Sequence, residues 1–217
     1  MKPVDRIQRN LLAVGERRLL TWLAERMPLW VTPDKLTTLG FSASVVIASG
    51  YVLSRWHVAW LWMSILFFFI NWFGDSLDGS LARYRKIERP KFGYFIDHSS
   101  DALGNLIMML GVGMSDYVRF DVAMFGVAAY LLLSIHTFIA ARVVDEFRLS
   151  YMAGGPTELR IVFIIMTLCM MTFGPGRVGT TGLSPFDMFI GGLGAILILL
   201  FIVQTLTTAR QMLARGE

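Results

Sequence analysis

Six apolar runs, at residues 36–54, 57–80, 94–114, 120–143, 158–174 and 186–207, dominate this 217-residue chain. A helix needs about 20 mostly apolar residues to cross the hydrocarbon core of a bilayer. Inside that core every backbone amide must find its partner within its own segment, so such runs fold as helices. Hydrophobic residues make up 55% of the chain and the mean hydropathy is +0.57, too apolar for an ordinary soluble domain. The expectation is an all-α integral membrane protein with six transmembrane helices, preceded by an N-terminal amphipathic interfacial helix. Residues 1–30 read as the amphipathic juxtamembrane segment and 31–217 as one membrane domain. No repeat stands out. The first 28 residues are charged and lack an uninterrupted apolar core, so no cleavable signal peptide is expected. The single cysteine, Cys169, lies in an apolar run and reads as a buried, inert thiol.

Charge gives the orientation. Six spans put the N-terminus, the 81–93 loop, the 144–157 loop and the C-terminus on one side. That side, with the span ends next to it, holds 17 of the 20 lysines and arginines; only Arg55, Arg119 and Arg177 fall on the other. Basic residues stay cytoplasmic. Both termini are therefore expected in the cytoplasm, in a bacterial-type inner membrane. The net charge of +4 reads as a topology signal and is poor evidence for nucleic-acid binding, so no nucleic acid is expected as a partner. In Val4–Met27, apolar Ile7, Leu11, Val14, Leu19, Trp22 and Leu23 alternate with five arginines, a pattern suited to the headgroup plane beside anionic lipid.

Within 27 residues stand four aspartates: Asp75 and Asp78, then Asp97 and Asp101. Spacings of three and four put each pair on one helix face. Carboxylates at the end of an apolar helix are costly unless something positive holds them. Hard oxygen ligands suit Mg²⁺ or Mn²⁺. Between the pairs, Gly79 and Ala82 lack bulk, so a flat ring or diphosphate can come close to the backbone. Arg83 offers a planar fork of donors to a phosphate. Gly93 is expected to let helices approach closely.

The full pattern, Asp75-x2-Asp78-Gly79-x2-Ala82-Arg83-x9-Gly93-x3-Asp97-x3-Asp101, resembles the signature of the CDP-alcohol phosphotransferase family at every fixed position. Upstream, Thr32-Pro33-Asp34-Lys35-Leu36-Thr37 is similar to the segment that opens the first span in that family. The resemblance covers nearly the whole chain. It implies a six-helix membrane enzyme of phospholipid biosynthesis that moves a substituted phosphate from a CDP-linked alcohol to a second alcohol, releasing CMP. It implies a divalent site, two ions of Mg²⁺ or Mn²⁺, with Asp75, Asp78, Asp97 and Asp101 as ligands. Asp101 also matches the residue that deprotonates the acceptor hydroxyl. Asp34, Thr37, Gly79 and Arg83 match positions contacting the CDP moiety, and Ala82 and Gly93 belong to the same motif. The donor is expected to be CDP-diacylglycerol, with a polar alcohol as acceptor and membrane lipids as surroundings. Whether the chain forms a homodimer stays open.

Gly154-Gly155-Pro156-Thr157-Glu158 resembles a segment of choline/ethanolamine phosphotransferases, so CDP-choline or CDP-ethanolamine with diacylglycerol is the alternative. In the phosphatidylinositol-phosphate synthase branch the fourth span ends in a Lys-Ala-Arg-Ala-Glu-like run. Here it reads Ala140-Ala141-Arg142-Val143-Val144, which argues against inositol phosphate as acceptor. Intramembrane acids also mark cation transporters, but those four sit at one interface rather than at a midplane. His136 reads as a helix-to-helix hydrogen bond, His98 as a bystander of Asp97, and Trp56, Trp60 and Trp62 as an aromatic belt. Arg142 and Arg160 stand on the aspartate side, where anchoring and contact with a phosphate or acceptor are equal readings; Arg148 and Glu158 share the ambiguity.

Overall fold

In the computed structural model the described residues are 6–7, 13–143, 147–148, 155–176 and 182–216. They form helices α1 (Ala13–Arg26), α2 (Pro33–Leu53), α3 (Trp60–Tyr84), α4 (Pro90–Gly113), α5 (Phe120–Val143), α6 (Pro156–Phe173) and α7 (Pro185–Arg215). Five of them, α2, α3, α5, α6 and α7, are long and apolar enough to cross a membrane. This is the build of an integral membrane helical protein. The 24-residue α4 does not meet that apolar criterion, and its N-terminal half carries Lys91, Asp97 and Asp101. It nevertheless packs against both α2 and α5.

Prolines start four of these helices. Pro33, Pro90, Pro156 and Pro185 each occupy a first-turn position, where the missing N–H has no intrahelical partner to lose. Thr32 and Ser184 cap two of them: the Lys35 amide donates to Thr32 Oγ1 (3.3 Å) and the Asp187 amide to Ser184 Oγ (3.0 Å). Caps, not apolarity, fix these starts, so each helix begins one to four residues before its apolar run. The expected 81–93 loop shrinks to Arg85–Arg89, because α3 runs on to Tyr84 and α4 begins at Pro90. Arg85 stabilises this junction by donating to the carbonyls of Val31 (2.5 Å), Met27 (2.9 Å) and Pro28 (2.8 Å).

The N-terminal expectation needs correction. Among the described residues the helix covers Ala13–Arg26, and Arg6–Ile7 (β1), inside the stretch expected to be helical, pairs in parallel with Phe147–Arg148 (β2). Two residues on each side exchange ladder hydrogen bonds there, so the chain is not helical throughout. From Ala13 on, α1 buries Leu20 and Ala24 against Leu36, Leu77 and Leu81. Glu16 Oε1 accepts from Trp72 Nε1 (2.8 Å) and from Thr157 Oγ1 (2.6 Å), which ties α1 to α3 and to the start of α6.

Small residues let the long helices touch. A Cβ on Gly74 would stand 2.6 Å from the Gly40 nitrogen and the Leu36 oxygen, both backbone atoms. A Cβ on Gly111 would lie 2.4 Å from Ala48 Cα. Such seams bring backbones together where apolar transfer supplies little association energy. Polar pairs lock them: Asn71 Nδ2 donates to Gly40 O (2.9 Å) and Ser44 Oγ (3.1 Å), and Tyr51 OH shares a 2.5 Å hydrogen bond with Thr167 Oγ1 of α6. The main core gathers Ile47, Tyr51, Leu61, Phe68, Val112 and Met170. His136 reaches Thr205 Oγ1 of α7 (3.3 Å), the interhelical contact expected of it.

Candidate active site

The site is built where α2, α3, α4 and α6 meet, about two to three helical turns in from Tyr84 and Pro90 as measured to the aspartates. Gly74 and Gly40 draw α3 against α2, and the next residue on α3 is Asp75. Asp97 and Asp101, one turn apart on α4, present their carboxylates to it. Each of these three aspartates offers an oxygen within 4.8 Å of the other two. All three are half-buried. Deep carboxylates this close repel one another unless positive charge intervenes.

Arg160 supplies it. Its Nη2 donates to Asp75 Oδ2 at 2.5 Å and its Nε to Asn71 Oδ1 at 2.7 Å. The side chains of Arg160 and Asp75 are only 13% and 18% exposed, so this is a sequestered ion pair. Arg160 is thus turned inward onto Asp75 and Asn71 rather than snorkelling to the surface. Asn71 was not singled out from the sequence. Its signal was there: a lone amide in the run Val58–Gly74, four residues before Asp75 and so on the same helix face. Glu158 closes the start of α6 by accepting the Gly155 amide at Oε2 (2.9 Å).

Asp78 stands outside the three-carboxylate group. It is buried, and both its oxygens are engaged: Thr37 Oγ1 donates to Oδ2 (2.5 Å) and the Gly79 amide to Oδ1 (2.5 Å). Thr37 thereby links the start of α2 to the motif on α3, and it lines the same cleft as Asp75, Asp97 and Asp101. Arg83 folds back along its helix, donating to Ser80 Oγ (3.1 Å), and a Cβ on Gly79 would meet nothing but that guanidinium. Asp34 at the start of α2 pairs with Arg89, whose guanidinium lies over the Phe92 ring at 4.5 Å. Ala82 is half-buried on α3. Gly93 departs from its expected packing role, since a Cβ there would touch no atom within 4 Å. Its lack of bulk serves open space beside α4 rather than a helix crossing. His98 packs edge-on to Tyr94 (4.4 Å between ring centroids) and beside Phe138 (4.8 Å). The Arg142 side chain and Val144 lie outside the described residues, as do Arg177 and Gly154.

Two cavities meet at this point. A polar cleft of about 330 Å³ is lined by Thr37, Asn71, Asp75, Asp97, Asp101 and Arg160, among others. An apolar pocket of about 880 Å³ is walled by Phe68, Met109, Val127, Phe163, Ile190 and Leu197. Asp101, Asn105, Met108 and Arg160 line both. Three carboxylates in reach of one point form a hard-oxygen donor set of the kind divalent Mg²⁺ or Mn²⁺ takes.

Fold and site together define a helical membrane protein with an acidic cleft let into its bundle and an apolar pocket opening off that cleft. The chain belongs to the CDP-alcohol phosphatidyltransferase family, whose sequence model matches residues 30–209. Among curated proteins it is similar to archaetidylinositol phosphate synthase of Pyrococcus horikoshii, at 27% identity over 56% of this chain and 53% of that protein. It is similar to human cholinephosphotransferase 1 at 31% identity over 44% of this chain and 25% of that protein. Phosphatidylinositol phosphate synthase of Cutibacterium acnes is 34% identical over 39% of this chain and 38% of its own length. The match thus spans at most about half of each of these relatives.

Proposed function

We propose that this chain is a CDP-alcohol phosphotransferase of phospholipid synthesis, using CDP-diacylglycerol as donor and a polar alcohol as acceptor. The observation that carries the proposal is the convergence of Asp75, Asp97 and Asp101, the motif carboxylates of two separate helices, within 4.8 Å of one another. Residues 31–217 act as one six-span membrane domain behind the interfacial segment 1–30. The sixth span is α4, which at 24 residues is about 36 Å long and packs among the apolar helices despite its aspartates. Both termini and the cleft face the cytoplasm.

In the reaction, the bond between the transferred phosphorus and the bridging oxygen of the CDP diphosphate breaks. A bond from the acceptor oxygen to that phosphorus forms, and CMP leaves with the bridging oxygen. Asp75, Asp97 and Asp101 would hold Mg²⁺ or Mn²⁺, with Asp78 beside them. The ion supplies charge neutralisation at the diphosphate when bound. Asp101 lies at the junction of the polar cleft and the apolar pocket. There it takes the proton of the acceptor hydroxyl as the oxygen attacks. Asp34, Thr37, Gly79, Ala82, Arg83 and Gly93 surround the CDP moiety: Arg83 offers donors to phosphate, and Gly79 and Gly93 leave room beside their helices. A lipid with a charged diphosphate head and apolar tails suits a polar cleft continuous with an apolar pocket.

The second reading, CDP-choline or CDP-ethanolamine with diacylglycerol as acceptor, draws support from the likeness to cholinephosphotransferase 1. Inositol phosphate as acceptor is disfavoured by Ala140 and Val144, where the phosphatidylinositol-phosphate synthase branch is expected to carry lysine and glutamate. A cation transporter is disfavoured by family membership. Purified protein incubated with Mn²⁺ or Mg²⁺, a panel of CDP-linked donors and a panel of alcohols, with CMP release as readout, tests this. CMP release with CDP-diacylglycerol is expected; release with CDP-choline or CDP-ethanolamine alone would favour the second reading, and no release with any donor would end both.

A further inference from the structure

We propose that Arg160 is the protein's own counter-cation for the aspartate cluster, and that a divalent ion gains Asp75 by displacing its guanidinium. This rests on the reading of Asp75, Asp97 and Asp101 as metal ligands. Three carboxylates with oxygens within 4.8 Å, set among apolar helices, need a positive charge whenever no ion is bound. Among the described residues, Arg160 is the one lysine or arginine lining the cleft. Its Nη2 takes Asp75 Oδ2 at 2.5 Å. A guanidinium held against that carboxylate sets a positive charge where a cation would have to approach, so the two compete for Asp75.

The arginine is held so that it can let go. Its Nε is anchored at 2.7 Å by Asn71, an amide that carries no charge and takes no part in the carboxylate cluster. Its Nη1 is buried with no hydrogen-bond partner. The guanidinium therefore does not make the two-pronged carboxylate fork that characterises a permanent arginine ion pair. Displacement from Asp75 leaves the Asn71 anchor intact. The start of α6 is fixed independently, by Glu158 on the Gly155 amide and by Thr157 on Glu16 of α1. Arg160 thus swaps one partner without its helix moving.

A contrary role, in which Arg160 orients Asp75 for the ion, predicts the opposite sign in a binding measurement. Mn²⁺ is titrated into the full chain in lipid nanodiscs, and free Mn²⁺ is read by electron paramagnetic resonance. Arg160→Gln removes the competing charge and is expected to tighten Mn²⁺ binding by about tenfold or more. Arg160→Lys keeps a charge but loses the Nε that Asn71 anchors, so its affinity is expected between the two. Without metal, Arg160→Gln should melt below the wild type, and saturating Mn²⁺ should raise its Tm more than the wild type's. Equal or weaker Mn²⁺ binding by Arg160→Gln would overturn the proposal while leaving the metal site standing. Should that variant not fold, Arg160→Lys carries the test alone, and unchanged or weaker affinity overturns it. If the wild type binds no Mn²⁺, and Asp75→Asn behaves alike, the metal reading falls and this inference with it.

Discussion

Asp101 and Asp97 are one helical turn apart, yet only Asp101 lines both the polar cleft and the apolar pocket. That position fits a group that meets an acceptor hydroxyl arriving from the lipid side. Asp101→Asn keeps the shape and removes the base. General-base help is worth about 10²–10⁴-fold, so kcat should fall at least that far while the CDP-linked donor still binds. Retention of kcat and of the wild-type pH profile would take Asp101 out of the base role. Thr37 offers a second test at this scale. Its hydroxyl holds Asp78 Oδ2, and Thr37→Val leaves that buried acceptor unpaired, at a cost of about 1–3 kcal/mol. A lower Tm and weaker donor binding are expected, with Thr37→Ser restoring both; a Thr37→Val protein with unchanged Tm would show that the bond contributes nothing. The aspartates were legible in the sequence because their spacing repeats a motif. The partner of Asp75 was not. Arg160 lies 85 residues from Asp75, and nothing in a linear sequence says that α6 turns Arg160 toward α3.

The helices themselves were legible from hydropathy, and their starts were not, because capping chemistry sets those. Pro33, Pro90, Pro156 and Pro185 stand ahead of the apolar runs at 36, 94, 158 and 186. The start of α1 was misread for a different reason. The apolar and basic alternation of Val4–Met27 is compatible with one long helix, whereas residues 6–7 find backbone partners on the segment after α5. Packing between elements gives its own prediction. Gly74 lies next to Asp75, and a methyl group there would press 2.6 Å against backbone atoms of α2 that cannot rotate away. Gly74→Ala should cost about 1–3 kcal/mol in stability and shift Asp75, so activity should fall more than Tm alone explains. Gly93→Ala is the matched control, since no atom lies within 4 Å of its added carbon. Its Tm should match the wild type, and, on the proposal that the CDP moiety occupies this space, its donor KM should rise. Equal loss of Tm in both variants would remove the close α2–α3 approach as the cause.

At the scale of the molecule, one charge asymmetry and one cleft set the account. The positive-inside distribution predicts that both termini lie in the cytoplasm, with the aspartates opening to that side. Reporter fusions after Glu217 and within residues 116–121 should give opposite signals, and matching signals would contradict six spans. Glu16 links the N-terminal helix to Trp72 of α3 and Thr157 of α6, so the segment ahead of the spans is part of the scaffold that presents Arg160. The central claim is that the carboxylates of Asp75, Asp97 and Asp101 form one divalent-metal centre for cleavage of a CDP-linked alcohol. The most direct measurement is CMP release by the purified full chain in nanodiscs, with CDP-diacylglycerol and the acceptor panel, across Mn²⁺, chelator and Asp75→Asn. The account predicts CMP release with Mn²⁺, none above background in chelator, and collapse in Asp75→Asn even at saturating Mn²⁺. Turnover by Asp75→Asn in chelator at the wild-type rate would contradict it.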